Sequence, residues 1–259
     1  MVKSLRSTLH GGLRLGKVNI FPNREALNHA VASAIVKCAQ HSVALRGRFS
    51  IALSGGETPR SIYQLLHQVP FHHQMPWQQT HIFFTDERTV PPDHKDSNFG
   101  MANSALLSRV PLLQENIHRI EAEDPQPKAA AHRYAETLEK FVPRRHQLPQ
   151  FDLVLLGVGT DGHVASLFPG TTILQETAQL VAAVMVEKLK TWRISLTFPV
   201  INHADNIFII AAGSEKASVL EEVFAGNSQA KFPVQQLQPE GNLSWFLDKD
   251  AALKLPSSK

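Results

Sequence analysis

Residues 151–163, FDLVLLGVGTDGH, join a short apolar run to a glycine-rich segment. The run Phe151–Leu156 has the length and the branched apolar residues of a buried strand, and Gly157–His163 begins where that strand ends. Strands that are buried on both faces are typical of parallel sheets, which helices cover. The segment therefore predicts an α/β protein in which a glycine-rich loop follows a central strand.

The alternation of strand and helix extends along the chain in both directions. We predict strands over Phe49–Leu53, His81–Thr85, Val181–Val186, Arg193–Phe198 and Asn206–Ala211, helices over Arg24–Leu45, Asp96–Leu107 and Lys128–Phe141, and a helix that starts at Ser214. This order indicates a mostly parallel sheet covered by helices. Pro143–Pro149 resembles a linker, but the alternation continues across it, so we expect one domain over residues 19–250.

The composition excludes several classes of protein. Of the 259 residues 43% are hydrophobic, which excludes a disordered chain, and the net charge of +3 is too small to indicate nucleic acid as a partner. The single cysteine, Cys38, excludes an intrachain disulfide and indicates a reducing compartment, so we expect a cytoplasmic protein. No apolar run approaches the roughly 20 residues of a membrane helix, so we expect no membrane partner.

Both termini are expected to lie outside the domain. We expect residues 1–18 to form a disordered extension and residues 251–259 a C-terminal tail. The first 24 residues carry five basic side chains and no acidic one, which is typical of an organellar transit peptide as well as of a frayed terminus. They lack the apolar core that a secretory signal requires.

The segment Ser54-Gly55-Gly56-Glu57-Thr58-Pro59 follows a predicted strand, and ligands of parallel sheets bind at the carboxyl ends of strands. Two glycines allow backbone N–H groups to approach an anion, and we expect Thr58 to cap the helix that follows. The segment is therefore a candidate phosphate site, with a tight turn as the alternative. No Gly-Lys-Ser/Thr follows it, so it is not a Walker loop.

Three further basic side chains lie near strand boundaries. In Asp86-Glu87-Arg88 the guanidinium of Arg88 could clamp a carboxylate or a phosphate, although a charged surface turn is the alternative. Arg193 and Lys216 lie near other strand ends, and Lys216 falls in the first turn of a predicted helix. A cation there opposes the helix dipole unless an anion compensates it, so a phosphate would explain this position better than a solvated lysine.

Gly157–His163 matches the dinucleotide-binding pattern G-x-G-x-x-G. The segment after it ends at Pro169-Gly170, too soon for the long helix of that pattern, so we expect no nicotinamide cofactor. His163 is a candidate general base, because an imidazole titrates near neutral pH, and Asp161 could orient its ring. A hydrogen-bonded loop histidine is the alternative, and a metal is not expected because the other histidines lack ligand spacing.

Taken in order, these segments resemble the motifs of the 6-phosphogluconolactonases. The matching residues are Ser54-Gly55-Gly56-x-Thr58-Pro59, Phe84–Pro91 with Asp96-Ser97-Asn98, Gly157–Pro169, RISLT at 193–197 and GSEKA at 213–217. The resemblance extends from about Asn19 to Leu247. Glu57 stands where Ser is common and Val164 where Thr is common, and we expect the side chain of Glu57 to point outward.

The resemblance implies a modified Rossmann-like, three-layer α/β/α fold and a carboxylic ester hydrolase without metal or cofactor. The implied reaction is hydrolysis of 6-phospho-D-glucono-1,5-lactone to 6-phospho-D-gluconate in the oxidative pentose phosphate pathway, with His163 as the base and Asp161 beside it. The implied substrate-binding residues are Ser54, Gly55, Gly56, Thr58, Arg88, Asn98, Arg193 and Lys216. The partner would be a small sugar-phosphate lactone, and we expect a monomer or a weak oligomer.

Two other functions stay open. A glucosamine-6-phosphate deaminase belongs to the same superfamily, but in that enzyme Tyr follows the counterpart of Asp86-Glu87, where this chain has Arg88. A sugar-phosphate sensor without catalytic activity would keep the pocket but would not need a base. The presence of both His163 and Asp161 therefore favours an enzyme.

Overall fold

The computed structural model describes residues 3–8, 14–225 and 232–255, with side chains from residue 16 onward. The strands are β1 (Lys3–Thr8), β2 (Arg14–Phe21), β3 (Phe49–Leu53), β4 (Thr80–Phe84), β5 (Asp86–Arg88), β6 (Arg144–Arg145), β7 (Leu148–Pro149), β8 (Leu153–Gly157), β9 (Val181–Val186), β10 (Thr191–Leu196), β11 (Asn206–Ala211) and β12 (Asn242–Asp248). The α-helices are α1 (Arg24–Arg46), α2 (Glu57–Leu66), α3 (Phe71–Gln74), α4 (Asn98–Ala105), α5 (Pro127–Phe141), α6 (Phe198–Asn202) and α7 (Ala217–Phe224).

The described residues form a main sheet with the strand order β1-β2-β12-β11-β8-β3-β4. All neighbours pair in parallel except β1 and β2, which are antiparallel. The central strands β3, β8 and β11 consist almost entirely of buried apolar residues, as their unbroken apolar runs predict. With helices flanking this sheet, the predicted α/β fold with a mostly parallel sheet is confirmed.

The strand order reverses between β3 and β8. After β3 the chain forms β4, which pairs with one edge of β3. It then crosses to the other edge of β3, where it forms β8 and, beyond β8, β11. The loops that follow two adjacent strands then diverge and leave a crevice at the carboxyl edge of the sheet, where ligands of open α/β sheets bind. The predicted phosphate segment follows β3 and the predicted base follows β8, so the topology places both at this crevice.

A small second sheet lies beside the main one. In it β10 pairs antiparallel with both β5 and β9, and Arg193 of β10 lies opposite Arg88 of β5. The segment Asp86–Arg88, expected as a charged turn or a functional loop, is therefore a strand. The segment Pro143–Pro149, which resembled a linker, contains the short hairpin β6–β7.

Helix α1 has the ends and the apolar face that the sequence predicts. The Oδ1 atom of Asn23 accepts the backbone N–H of Ala26 at 2.9 Å, and Gly47, with φ of 72°, ends the helix. Leu27 and Val31 are buried on its inner face. This face lies against β2, β3 and β12 and against helix α2, which begins beside the crevice.

The structure differs from the sequence prediction at the start of α2 and at the domain boundary. The cap of α2 is Gly56 rather than Thr58, and the helix begins at Glu57. Strand β2 pairs with β12, so the predicted boundary between residues 18 and 19 falls inside a strand. Residues 1–2, 9–13 and 256–259 of the predicted extension and tail lie outside the described residues, and the single domain over 19–250 stays a prediction. Among the described helices, none is long and apolar enough to cross a membrane.

Candidate active site

A cavity of about 480 Å³ opens at the crevice between the ends of β3, β8 and β11. Eight of the predicted site residues line it, namely Ser54, Gly55, Gly56, Thr58, Arg88, Asn98, His163 and Lys216. Residues that lie more than 150 positions apart in the sequence thus face one space. Two predicted residues, Asp161 and Arg193, are not among the described residues that line it.

The loop after β3 presents the N-terminus of α2 to the cavity. Gly56 has φ of 104°, a conformation that favours glycine, and no described side chain caps the helix. The first backbone N–H groups of a helix have no intrahelical acceptor, and the helix dipole attracts an anion to them. A Cβ atom on Gly55 would lie 1.8 Å from Oδ1 of Asn98, so this position also requires glycine. The loop therefore has the geometry of a phosphate site.

Ser54 adds a free hydroxyl to this loop. Its backbone N–H and carbonyl are both bonded to the hydroxyl of Tyr63 on α2, at 3.1 and 2.8 Å. Its own Oγ is buried and has no hydrogen-bond partner among the described residues, although the residue lines the cavity. A buried hydroxyl without a partner costs free energy, which a ligand could recover by bonding to it.

Glu57 lies at the rim of this loop. Its side chain is 75% exposed and pairs with Arg60 at 3.3 Å, as we expected of an outward-pointing side chain. The carboxylate therefore does not compete with a bound anion for the backbone N–H groups.

Glu87 holds the adjoining wall of the cavity in place. Its buried carboxylate accepts the backbone N–H groups of Arg88, Asn98 and Phe99 at 2.7–2.8 Å. Burial raises the pKa of Glu87 and these hydrogen bonds oppose the rise. The carboxylate thus fixes the start of α4, which brings Asn98 against Gly55.

Asp86 and Arg88 lie on the same wall. Asp86 is buried, lines the cavity and accepts the hydroxyl of Ser166 at 2.6 Å. The guanidinium of Arg88 donates to the carbonyl of Asp96 at 2.7 Å. The sequence alone assigns no role to Asp86, because a charged residue after a strand is more often a surface residue.

His163 and Asp161 form a hydrogen-bonded pair. Nδ1 of His163 lies 2.6 Å from Oδ1 of Asp161, so Nε2 is the ring nitrogen that is not bonded to Asp161. The histidine lines the cavity. The ring stacks on Phe168 with 4.2 Å between the centroids. A Cβ atom on Gly159 would lie 2.1 Å from Nδ1, so the second glycine of the loop provides space for the imidazole.

The Asp161 carboxylate has a second partner, Lys188, whose Nζ donates to Oδ2. Burial alone would raise the pKa of Asp161, but the hydrogen bonds from Lys188 and His163 outweigh burial and lower it to about 2. Asp161 is therefore ionised at neutral pH and accepts the bond from Nδ1. Sequence reasoning missed Lys188, because no motif joins it to residues 27 positions away.

Arg193 lies opposite Arg88 in the small sheet and is not among the described residues that line the cavity. Its Nη1 donates to Oγ1 of Thr191 at 3.1 Å and to the carbonyl of Trp192 at 3.0 Å. Burial and the neighbouring Arg88 lower the pKa of its guanidinium. Its predicted contact with a phosphate stays a prediction.

Lys216 ends a short 3-10 turn, Ser214–Lys216, after β11 rather than lying in the first turn of an α-helix. It lines the cavity together with two charged residues that the sequence analysis did not assign, Arg24 and Glu215. Arg24 opens α1, far from any motif, whereas Glu215 stands inside the quoted segment GSEKA. The lining therefore mixes cationic and anionic side chains.

Comparisons with known proteins show the family to which the chain belongs. A family model described as glucosamine-6-phosphate isomerases/6-phosphogluconolactonase matches residues 22–245. A 6-phosphogluconolactonase of Nostoc sp. is 38% identical over 240 residues, which is 92% of this chain and 98% of that protein. One of Synechocystis sp. is 36% identical over 242 residues, again 92% and 98% of the two chains.

The fold is also shared with solved structures. The 6-phosphogluconolactonase from Trypanosoma brucei superposes with a TM-score of 0.82 at 31% identity, over 96% of this chain and 100% of that one. The family model covers most of the chain, and the relatives exceed 30% identity over nearly their whole length. The chain therefore belongs to the glucosamine-6-phosphate isomerase/6-phosphogluconolactonase family.

Proposed function

We propose that this protein is a 6-phosphogluconolactonase, which hydrolyses 6-phospho-D-glucono-1,5-lactone to 6-phospho-D-gluconate in the oxidative pentose phosphate pathway. One observation carries the proposal: His163, bonded to Asp161 at 2.6 Å, lines the same cavity as the uncapped N-terminus of α2. A base and an anion site in a cavity of about 480 Å³ suit a small phosphorylated substrate.

His163 acts as the general base. Because Nδ1 is bonded to Asp161, Nε2 accepts a proton from water, and the resulting hydroxide attacks the lactone carbonyl carbon. The tetrahedral intermediate collapses by breaking the bond between that carbon and the ring oxygen, and His163 returns the proton to the ring oxygen. The product carboxylic acid ionises at neutral pH, so each turnover releases one proton to the solvent.

The negative charge on the intermediate requires hydrogen-bond donors. The backbone N–H groups of the two glycine-rich loops are the candidates, because both loops line the cavity. In the loop after β8 the N–H groups of Gly159 and Gly162 already donate to the carbonyls of His163 and Gly159, at 2.9 and 3.0 Å, and the N–H of His163 donates to Oδ1 of Asp161 at 3.3 Å. These three amides are therefore not available for the intermediate.

The phosphate binds at the N-terminus of α2. The backbone N–H groups after Gly56, the free hydroxyl of Ser54 and the ammonium of Lys216 hold it, and Arg193 contributes if its side chain turns toward the cavity. Arg88 and Asn98 on the adjoining wall bind the phosphate or the sugar end. We propose the sugar-phosphate lactone as the only partner, with neither nucleic acid nor membrane. We further propose that the protein is cytoplasmic and is a monomer or a weak oligomer.

A parallel assay of two reactions tests the proposal. Purified protein is incubated with fresh 6-phosphogluconolactone while acid release is followed, and with glucosamine-6-phosphate while ammonia release is followed. We expect acid release above the spontaneous rate and no ammonia. Ammonia release would assign the deaminase activity instead, and binding of the sugar phosphate with neither product would indicate a sensor. The deaminase is not favoured, because Arg88 stands where that enzyme has Tyr and the relatives compared above are lactonases.

A further inference from the structure

Lys188 lies next to the candidate base but outside the cavity lining of the described residues. It belongs to the short turn Glu187–Leu189 between β9 and β10, and its Nζ donates to Oδ2 of Asp161. The other carboxylate oxygen, Oδ1, bonds to Nδ1 of His163 at 2.6 Å. The carboxylate thus bridges the lysine and the histidine.

Phe168 contacts both ends of this bridge. The ring of His163 stacks on it with 4.2 Å between centroids, and Nζ of Lys188 lies 5.0 Å from the centroid of the same ring. A cation above an aromatic face is attracted to it. The lysine is therefore held by two contacts, which limits the positions that its flexible side chain can take.

The turn that carries Lys188 is tied to the cavity wall. It closes with a hydrogen bond of 3.1 Å from the N–H of Lys190 to the carbonyl of Glu187, and Val186 pairs with Thr191 beside it. Strand β10 also pairs with β5, whose Arg88 lines the cavity. The backbone of Lys188 is therefore connected to the cavity wall through the pairing of one sheet.

We propose that Lys188 is a positioning residue of the lactonase reaction, which holds the Asp161 carboxylate in the orientation that bonds Nδ1 of His163 and leaves Nε2 to the water. This inference rests on the proposed function. Without the ammonium, Oδ2 loses its protein partner and the carboxylate can rotate away from the imidazole. Small displacements of a catalytic group lower the rate strongly.

The charge of Lys188 also bears on the protonation of His163. Its ammonium offsets the negative charge of Asp161, and the removal of Lys188 leaves that charge to stabilise the imidazolium form. The acid limb of the activity profile then moves to higher pH. The other charged groups that line the cavity beside His163 are Arg24, Glu57, Asp86, Arg88, Glu215 and Lys216, and they are the same in every variant below.

The test compares Lys188→Met with Lys190→Met, which removes the same charge from the next exposed lysine of the turn. We expect Lys188→Met to lower kcat about tenfold with KM unchanged, and to move the acid limb to higher pH. Lys190→Met should change neither quantity, and Lys188→Arg should restore most of the rate. Equal effects of the two Met variants would overturn the inference, as would a higher KM with unchanged kcat, which would make Lys188 a substrate ligand.

A double-mutant cycle separates positioning from a structural role. In an Asp161→Asn background, Lys188→Met should have no further effect on kcat, because the group it positions is gone. A full effect in that background would contradict the inference, and circular dichroism establishes that each variant is folded.

A proton NMR measurement keeps this test independent of the proposed function. The downfield resonance of the Nδ1 proton of His163 should weaken or shift in Lys188→Met and persist in Lys190→Met. The absence of lactonase activity in the wild type would refute the proposed function. An unchanged resonance in Lys188→Met would refute the role of Lys188 whether or not the wild type is active.

Discussion

His163 carries the proton transfers in this account, and its replacement is the clearest test at the scale of single residues. General acid–base assistance contributes about 10²–10⁴-fold, so His163→Ala should lower kcat by that factor. The rate is measured above the spontaneous opening of the lactone, and thermal unfolding provides the control for folding. Turnover near the wild-type rate would exclude His163 as the base.

We expect Asp161 to orient the imidazole and to take no proton, because its pKa is lowered to about 2. Asn has nearly the same shape and keeps a hydrogen-bonding oxygen, so Asp161→Asn should cost less activity than His163→Ala. The pH profile provides a second comparison, since activity should fall in mild acid, where an imidazole becomes protonated and Asp161 stays ionised. A profile that is flat down to about pH 5, or a larger loss in Asp161→Asn, would make the carboxylate the base.

Lys216 is expected to bind the phosphate, far from the reacting carbonyl. Charged hydrogen bonds contribute about 1.5–3 kcal/mol, which corresponds to a rise in KM of about 10- to 100-fold for Lys216→Ala with a smaller change in kcat. Arg193→Ala should also raise KM, by less, because its guanidinium is bonded to β10 and not to the cavity. Lys37→Ala on the exposed face of α1 is the control. An unchanged KM in both Lys216→Ala and Arg193→Ala would show that the phosphate does not bind at the end of the cavity where Lys216 lies.

At the scale of elements, the cavity depends on the close approach of the loop before α2 to the start of α4. A Cβ atom on Gly55 would lie 1.8 Å from Oδ1 and 2.5 Å from Cγ of Asn98, so Gly55→Ala must push the two elements apart. We expect a loss of about 1–3 kcal/mol in the free energy of unfolding and a higher KM. The double variant with Asn98→Ala relieves the clash and should recover part of the stability but not the KM. Wild-type stability of Gly55→Ala would show that the contact is not tight.

The apolar runs predicted the central strands well, because β8 and its neighbours are buried on both faces and carry few polar residues. The start of α2 was predicted two residues late, because Thr-Pro is a typical cap sequence while the actual cap is Gly56, which has φ of 104°. β2 and β12 were not predicted at all. They lie toward one edge of the sheet, where β2 pairs with β1 and β12 and the strands mix polar with apolar residues, so their pattern is weak.

The same contrast holds for the candidate site. Residues in the glycine-rich loops were found because the backbone there requires particular residue types, as at Gly55 and Gly159. Lys188 and Arg24 were missed because they reach the site only through tertiary structure and stand in no motif. Arg193 was chosen from its position near a strand boundary and from the resemblance; the structure pairs it with Arg88, and its contact with a phosphate stays a prediction.

At the scale of the whole molecule, stability in acid depends on two stacked histidines. The rings of His81 and His118 are parallel within 1°, with 5.7 Å between centroids. Burial lowers the pKa of both to about 4, and the charge of Arg48 adds to this. In the unfolded chain a histidine titrates near pH 6.5, so between about pH 6.5 and 4 the unfolded state binds more protons. The free energy of unfolding is therefore highest above this range and falls as the pH falls through it.

Denaturant titrations at several pH values measure this dependence. The ring of His118 packs against Phe83 and Phe141, so a Phe should fit in its place. His118→Phe removes one of the two titrating histidines and should reduce the slope of the free energy of unfolding against pH between about 6.5 and 4. His132→Phe replaces an exposed histidine on α5 and should leave the slope unchanged. The same slope in His118→Phe as in the wild type would show that the pair does not titrate in this range.

The central claim is that one cavity holds a phosphate at α2 and opens a lactone at His163. The most direct measurement is kcat/KM of the purified protein for 6-phosphogluconolactone and for unphosphorylated gluconolactone, each corrected for spontaneous hydrolysis. The account predicts efficient hydrolysis of the phosphorylated lactone and very poor hydrolysis of the other, because the phosphate provides much of the binding energy of so small a substrate. Equal values for both lactones would contradict it, and the loop at Gly55-Gly56 would then be only a turn.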